Sequence, residues 1–520
     1  MPTLSVTMLR PAPSSGIARV ARPATLAAVF GVLATALAAA GSWIPSLWGD
    51  EAASIMSAQR PVPSLFRMLG HVDAVHGTYY LGLHAWGGLV GFSPFAVRLP
   101  SAVAVGLATA AVVLLAARLR GTRAAIVAGL LCAVLPRVTY MGEEARSFAF
   151  SAAIVAWLTV LLIAILDREH PRAGWWVGYG ALLTVGVYVF LYTVLFVVVH
   201  GVVVAASRAP RRVVAGWALA SAGGLLSSAP LIVVAVSQHH QIAYLGAIPQ
   251  LAPQTLFSGL WFGDAWPVAI VAWALIALAV VTEARQRVLV ARAAGGGLFF
   301  LSATRLPSLV PLALVWLALP TGILIAVQEV VPDFTARYVS FCAPAAALLM
   351  ACGVDDLLRW RRWAGLLAAA LVVALTVPAY LDQRTPYAKN GSDWAEVSAA
   401  VGANAIPGDA VVFDESTRPS RLPRLALHTY PAGFAATADV TLAAPFATRT
   451  TWRDSAYSVR RAAQLGRFDG IDRVWLVEYA ATPSTPDTYG VADLTALGFH
   501  ETTTRIPTHH ALVALYERTR

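Results

Sequence analysis

Charge is what this sequence has least of. Of 520 residues only 13% are Asp, Glu, Lys or Arg, against 58% hydrophobic, and the mean hydropathy is +0.65. Soluble domains carry roughly a quarter charged residues, so an ordinary soluble enzyme is excluded. Cysteine is nearly absent. The three present, Cys132, Cys342 and Cys352, sit inside apolar segments with no CxxC or Cys/His spacing, which excludes a disulfide framework and a cysteine-ligated metal site. Lysine is represented by Lys389 alone, so the net charge of +10 is an arginine charge. Those arginines lie mostly in short stretches between apolar runs, where membrane topology accounts for them and no nucleic-acid partner is needed. A P-loop and a Rossmann glycine pattern are also missing, which leaves no motif for a soluble nucleotide-sugar.

What is present is a series of apolar runs of about 20 residues, the length that crosses a hydrocarbon core as a helix. The fold class is therefore a polytopic α-helical membrane protein. Spans are expected near 24–44, 99–117, 124–140, 147–166, 174–190, 192–207, 213–235, 265–282, 307–328, 338–354 and 364–380, about eleven in all. The segment 174–207 exceeds one span and is read as a hairpin turning near Tyr188 to Thr193. The run from Ala24 follows a basic leader, residues 1–23, and reads as a retained first helix; its "ALAAAGS" also offers a signal-peptidase-like site.

Arg118, Arg120 and Arg123; Arg168 and Arg172; Arg208, Arg211 and Arg212; Arg285, Arg287 and Arg292; and Arg359, Arg361 and Arg362 all fall on the side of the N-terminus. By the positive-inside rule that side is cytoplasmic. The outer side receives the long loop 45–97, the turns at 141–146 and 329–337, the stretch 236–263 and everything after Tyr380. Residues 24–380 thus form the membrane domain. Residues 381–520 regain polar composition and read as a small extracytoplasmic α/β domain, with Ser392 or Asp393 as a helix N-cap and strands in "GDAVVFD", "DRVWLVEYA" and "HHALVALYERT".

Polar side chains at outer helix ends are the informative set, because hydrocarbon makes each one costly. Asp50 and Glu51 open the first outer loop. There "SIMSAQRPVPSLFRML" has an apolar and a cationic face and reads as an interfacial helix. His76, Tyr79, Tyr80 and His84 then fall at helical spacing, either as an aromatic belt with hydrogen-bonded histidines or as one face of a site. The second outer turn packs Glu143, Glu144 and Arg146 together; the third brings Asp333, Arg337 and Tyr338. Arginine presents a planar fork suited to phosphate, and a carboxylate beside a hydroxyl can take its proton. A pocket with both at the lipid boundary suits transfer from a lipid-linked phosphate to a hydroxyl.

Asp50–Glu51, "HGTYYLGLHAW" from His76, "RLPS" from Arg98 to Ser101, "EARSF" from Glu144 to Phe148 and "RYVSFCAPAAALL" from Arg337 follow one another in the order found in the GT-C glycosyltransferases. Over roughly residues 25–380 the chain resembles their bacterial branch, related to protein O-mannosyltransferases and aminoarabinose transferases. The resemblance implies a transferase that takes a sugar, mannose favoured, from a polyprenyl-phosphate donor on the outer face of the cell membrane and inverts the anomeric centre. Asp50 would be the base and Glu144 would orient the sugar or share a proton. Arg146 and Arg337 would hold the donor phosphate, and Glu51, His76, Tyr79, Tyr80, Glu143 and Tyr338 would line the substrate pocket. A divalent metal would fit where Asp50 and Glu144 meet, but nothing in the sequence requires one. The acceptor would be a hydroxyl of an envelope glycan or lipid; the alternative is a hydroxyl of a secreted protein. Two readings of other classes are a transporter or flippase, which places its polar groups near the midplane, and a glycan-binding module on a membrane anchor.

Overall fold

The computed structural model describes residues 16–241, 251–293, 306–328, 334–482, 485–486 and 488–519. Asp333 lies outside them, as does most of the leader. Seven described helices, from Pro94–Leu119 to Arg362–Asp382, are long and apolar enough to cross a membrane. An eighth segment is the pair Thr122–Val134 and Pro136–Gly142, bent by 59°. The break has a local cause: Pro136 lacks an N–H and forces Leu135 into extended backbone, ψ 126°. Shorter apolar helices cover Pro23–Ala39, Ala173–Val189 and Leu191–Ala206.

The chain does break within 174–207. Phe190 is extended at φ −154° and ψ 110°, and the Tyr179 hydroxyl meets His200 Nδ1 at 2.8 Å, so the two arms lie side by side. Small residues let the helices approach closely. A Cβ on Gly106 would stand 2.6 Å from the Gly31 carbonyl oxygen, which is how the Pro94–Leu119 helix seats against the first helix. Cys132, Cys342 and Cys352 are buried, unpaired core residues.

The two ends of the bundle differ. At one, Arg120 pairs with Asp355 at 3.0 Å and with Asp356, Arg123 pairs with Asp355 at 2.6 Å, and Arg118 pairs with Asp167. At the other, the helices Gly49–Ala58, Val62–Leu69 and Gly77–Val90 gather beneath the C-terminal domain. The expected single interfacial helix is divided at Pro61; Arg67 is exposed on its second half, but Arg60 turns inward. Arg60 is fully buried and donates to Ser64 Oγ at 3.2 Å, to the Arg449 carbonyl at 2.9 Å and to the Thr451 carbonyl. A guanidinium surrounded by carbonyls of another domain is a joint between domains.

In the C-terminal domain the strands run in the order Thr437–Asp439, Asp409–Phe413, Arg473–Thr482, Ala511–Arg518, Phe499–Pro507. The first two pairings are parallel and the last two antiparallel. Alternation gives the sheet two apolar faces. Val411, Phe413, Trp475, Val477 and Val513 point one way; Ala410, Val412, Val474, Leu476 and Ala514 point the other. The first face also buries Ala52 and Met56, so the helix that begins at Gly49 is part of this domain's core. Asp393 precedes the Trp394–Asn404 helix but caps nothing with its side chain. Its Oδ2 accepts instead from Thr508 Oγ1 at 2.5 Å and from the His510 N–H at 2.6 Å, tying the helix start to the sheet edge.

Candidate active site

Asp50 sits in the first turn of the Gly49–Ala58 helix, where the dipole favours a carboxylate. Because the far side of that helix is locked into the outer domain's core, the carboxylate is held on a rigid element. Its Oδ2 accepts from Arg337 Nη1 at 2.6 Å, with both side chains about a quarter exposed, 26% and 27%. The same Nη1 lies 3.5 Å from Glu144 Oε1, on a side chain only 1% exposed. The Arg337 guanidinium also stands 5.0 Å from the Trp48 ring and 5.8 Å from Phe148. Arg146 approaches from the other side. Its Nη1 reaches the Asp50 carbonyl at 3.4 Å and Ser54 Oγ at 3.5 Å, and its Nη2 donates to His76 Nε2 at 3.0 Å.

Electrostatics divides the carboxyls. Burial pushes Asp50 up, but the pull of Arg337 and Arg146 together outweighs it and holds the group below its ordinary range. Glu144 goes the other way: burial dominates, Arg337 and Lys389 offset only part of it, and Asp50 and Glu51 add to the rise. The two carboxyls are thus shifted in opposite directions. His76 is neutral, because burial and then Arg146 push it well below its ordinary value. With Nε2 accepting from Arg146, its proton is assigned to Nδ1.

A residue the sequence reasoning passed over joins this group. Asp73, in left-handed backbone at φ 58°, accepts the Tyr80 hydroxyl at 3.2 Å, and burial raises its pKa. Gln238 and Gln241 hold its loop: their side-chain oxygens accept the N–H groups of Ala74 at 3.0 Å and Asp73 at 3.1 Å. The signal available was an acid three residues before His76 in the same outer loop.

Two sequence-predicted pocket residues face elsewhere. Glu51 is fully buried; Arg98 grips it through Nε at 2.7 Å and Nη2 at 2.6 Å, and the Ala145 N–H donates to Oε1 at 2.9 Å. Both of its oxygens are engaged by protein and none of its surface is exposed, so it fixes the Asp50 turn against the Glu144 turn instead of facing a sugar. Glu143 is also fully buried, 3.2 Å from Arg384 and 3.3 Å from Lys389 Nζ. It fastens the membrane domain to the chain leading into the outer domain. Arg98 and Ser101 explain why "RLPS" belongs with the site: the first orders Glu51, and Ser101 Oγ donates to the Glu144 carbonyl at 2.7 Å.

Tyr79 lines a cavity of about 230 Å³ whose other walls are apolar, among them Leu83, Trp86 and Phe150. Tyr338 packs its ring against Tyr192, centroids 5.2 Å apart, beside the Arg337 backbone. His76 belongs to a short turn of 3-10 helix that ends before the Gly77–Val90 helix begins, so it does not share one continuous helical face with the tyrosines. Among the described residues no cluster of three or more His, Cys, Asp or Glu could hold a metal. Arg337 occupies the space between Asp50 and Glu144 where a divalent ion would have to stand.

The fold resembles those of proteins of known structure. Residues 83–237 match the family model described as dolichyl-phosphate-mannose-protein mannosyltransferase. The fold is similar to that of ArnT from Cupriavidus metallidurans bound to undecaprenyl phosphate, with a TM-score of 0.55 and 14% identity over 94% of this chain and 97% of that one. It is also similar to the Archaeoglobus fulgidus oligosaccharyltransferase in complex with zinc and sulfate, with a TM-score of 0.51 and 12% identity over 94% of this chain and 72% of that one. Comparison with curated proteins finds no match. The chain is a multi-span membrane protein with the GT-C fold, the fold of membrane glycosyltransferases, and carries a small C-terminal sheet domain.

Proposed function

We propose that the chain is a glycosyltransferase that moves a sugar, mannose favoured, from a polyprenyl phosphate to an acceptor hydroxyl on the extracytoplasmic face of the cell membrane, with inversion. The observation that carries this reading is the Asp50–Arg337–Glu144 arrangement, with Arg146 beside it. Asp50 stays ionised, and among the described residues no hydrogen bond engages its Oδ1, which is free to take a proton. As the acceptor oxygen loses its proton to Asp50 and attacks the anomeric carbon, the bond from that carbon to the phosphate oxygen breaks. The departing phosphate gains negative charge. Arg337 and Arg146 stand ready to meet it, and fixed guanidiniums in a water-poor site need no reorganisation as that charge grows. Glu144, held beside Arg337, can orient the sugar or share a proton with it.

The lipid side has a matching feature. The apolar cavity beneath Tyr79 adjoins the Arg146–His76 side of the site, which suits a prenyl chain running from a phosphate at Arg146. Both similar structures are described with compatible ligands, undecaprenyl phosphate in one and sulfate in the other. Orientation follows from charge: the arginine-rich end carrying Arg118, Arg120 and Arg123 would face the cytoplasm, and the site the outside. The family description favours one second reading, a secreted-protein hydroxyl as acceptor.

The test is to offer the purified protein a panel of polyprenyl-phosphate sugars, mannose and arabinose first, and to measure released polyprenyl phosphate. Release that depends on Asp50 supports the reading. Vesicles that move the labelled sugar without forming a glycosidic bond would replace it with transport.

A further inference from the structure

A second cavity, of about 260 Å³, opens beside Asp50. Its floor includes Asp50 and Arg337. Its wall comes from the outer domain and presents Arg418, Arg421, Tyr479 and His510. The charges in it do not balance. Arg337 pairs with Asp50, whereas Asp393 accepts only from the neutral Thr508 hydroxyl and His510 N–H, so its charge stands against those of Arg418 and Arg421 and the lining keeps an excess of positive charge. Arg421 Nη1 donates to the Tyr479 hydroxyl at 2.7 Å, a neutral partner. Arg424, three residues on, makes the contrast plain, because it is neutralised by Glu415 at 2.6 Å and by Asp439. No salt bridge among the described residues joins Arg418 or Arg421 to a carboxylate. His510 Nδ1 is buried without a hydrogen-bond partner. A wall with two guanidiniums that no salt bridge engages, against the single unpaired carboxylate of Asp393, is suited to an anion.

This cavity meets the donor side at Arg337 alone. Arg146, His76, Tyr79 and Tyr80 do not line it, and the apolar cavity shares none of its residues. Asp50 lines it together with residues of the C-terminal domain. Accepting the transferase reading above, we propose that this cavity is the acceptor subsite and that the acceptor carries a phosphate or carboxylate near the reacting hydroxyl, gripped by Arg418 and Arg421. The outer domain would then choose the acceptor, and the membrane domain would hold the donor. Such a wall selects an anionic glycan or phosphosugar headgroup over a neutral Ser or Thr peptide, because charge-assisted hydrogen bonds to two arginines discriminate strongly against a neutral analogue.

The experiment is equilibrium dialysis of the full-length protein in detergent with radiolabelled mannose 6-phosphate, mannose and inorganic phosphate. The phosphosugar should bind at least about tenfold more tightly than mannose. R418Q/R421Q should lose that preference, while R418K/R421K, which keeps the charge, should retain much of it. Undecaprenyl phosphate affinity should stay within about twofold in both variants. Equal affinity for sugar and phosphosugar, or an unchanged preference in R418Q/R421Q, would overturn the proposal. So would inorganic phosphate binding as tightly as the phosphosugar, since the cavity would then read charge alone. A wild-type protein that binds the phosphosugar but never releases polyprenyl phosphate from any donor sinks the transferase reading and leaves the anion site standing.

Discussion

Arg98→Ala tests whether Glu51 is the fixed point on which the site is assembled. In the native protein both side chains are fully buried, and two short hydrogen bonds join them. Arg98 Nη1 also donates to the Ser42 carbonyl at 2.6 Å and the Pro45 carbonyl at 2.8 Å. Truncation therefore strands one carboxylate and the carbonyl oxygens of Ser42, Pro45 and Ser46 in a fully buried site. Breaking a buried pair by removing one partner costs about 3–5 kcal/mol. The three buried cysteines supply the assay, because a thiol-reactive dye reports their exposure as the bundle unfolds on heating. A loss of that size should lower the transition by at least several degrees. E51L/R98M removes both charges and should recover most of the loss, retaining a deficit of about 1–3 kcal/mol for the stranded carbonyls. A transition in Arg98→Ala unchanged from wild type would refute the buried-pair argument, and with it the claim that Glu51 is unavailable to substrate.

Asp50→Asn keeps the side chain's size and loses its basicity, so transfer should fall by at least about a thousandfold with an unchanged unfolding transition; near-normal turnover would remove Asp50 from the chemistry. The working form of Asp50 is the anion, lost as pH falls through a pKa held below 3.8, so the acid limb of kcat/KM should lie below the usual carboxylate range and move upward in Arg337→Gln. A limb that stays put in that variant contradicts the assignment. Gly49→Ala places a Cβ 2.5 Å from the Ser420 carbonyl oxygen, which must displace the turn carrying Arg418 and Arg421. Acceptor KM should rise about tenfold or more while stability falls by only about 1–3 kcal/mol, a split readable from kinetics and the dye assay together. Lys389, wholly buried against Glu143, should resist amine acylation in the folded protein and react only after unfolding, as peptide mass spectrometry would show.

The fold was legible because membrane helices are written in composition. Runs of about 20 apolar residues and the arginines between them place the spans without any knowledge of packing. Even the break at Phe190 was visible, since the apolar stretch around it is too long for one crossing. What could not be read was which acids face substrate and which face protein. Asp50 and Glu51 are neighbours with identical sequence credentials, yet a helix turns successive side chains by about 100°, so one points to the cavity and the other into Arg98. The choice between them lies in residue 98, and no local pattern joins the two. Glu143 and Glu144 divide in the same way, and the partner that claims Glu143 is the chain's lone lysine, more than 240 positions later. That lysine, which the sequence shows only as the one lysine among many arginines, is a buried cation. Burial alone would discharge it, but Tyr140, Glu143 and Glu144 hold its pKa above the ordinary value. In each pair of adjacent acids one member is used to hold the other in place. A turn with a single acid would have to position its carboxylate by packing alone, and at a boundary between lipid, water and a second domain packing is the weaker constraint.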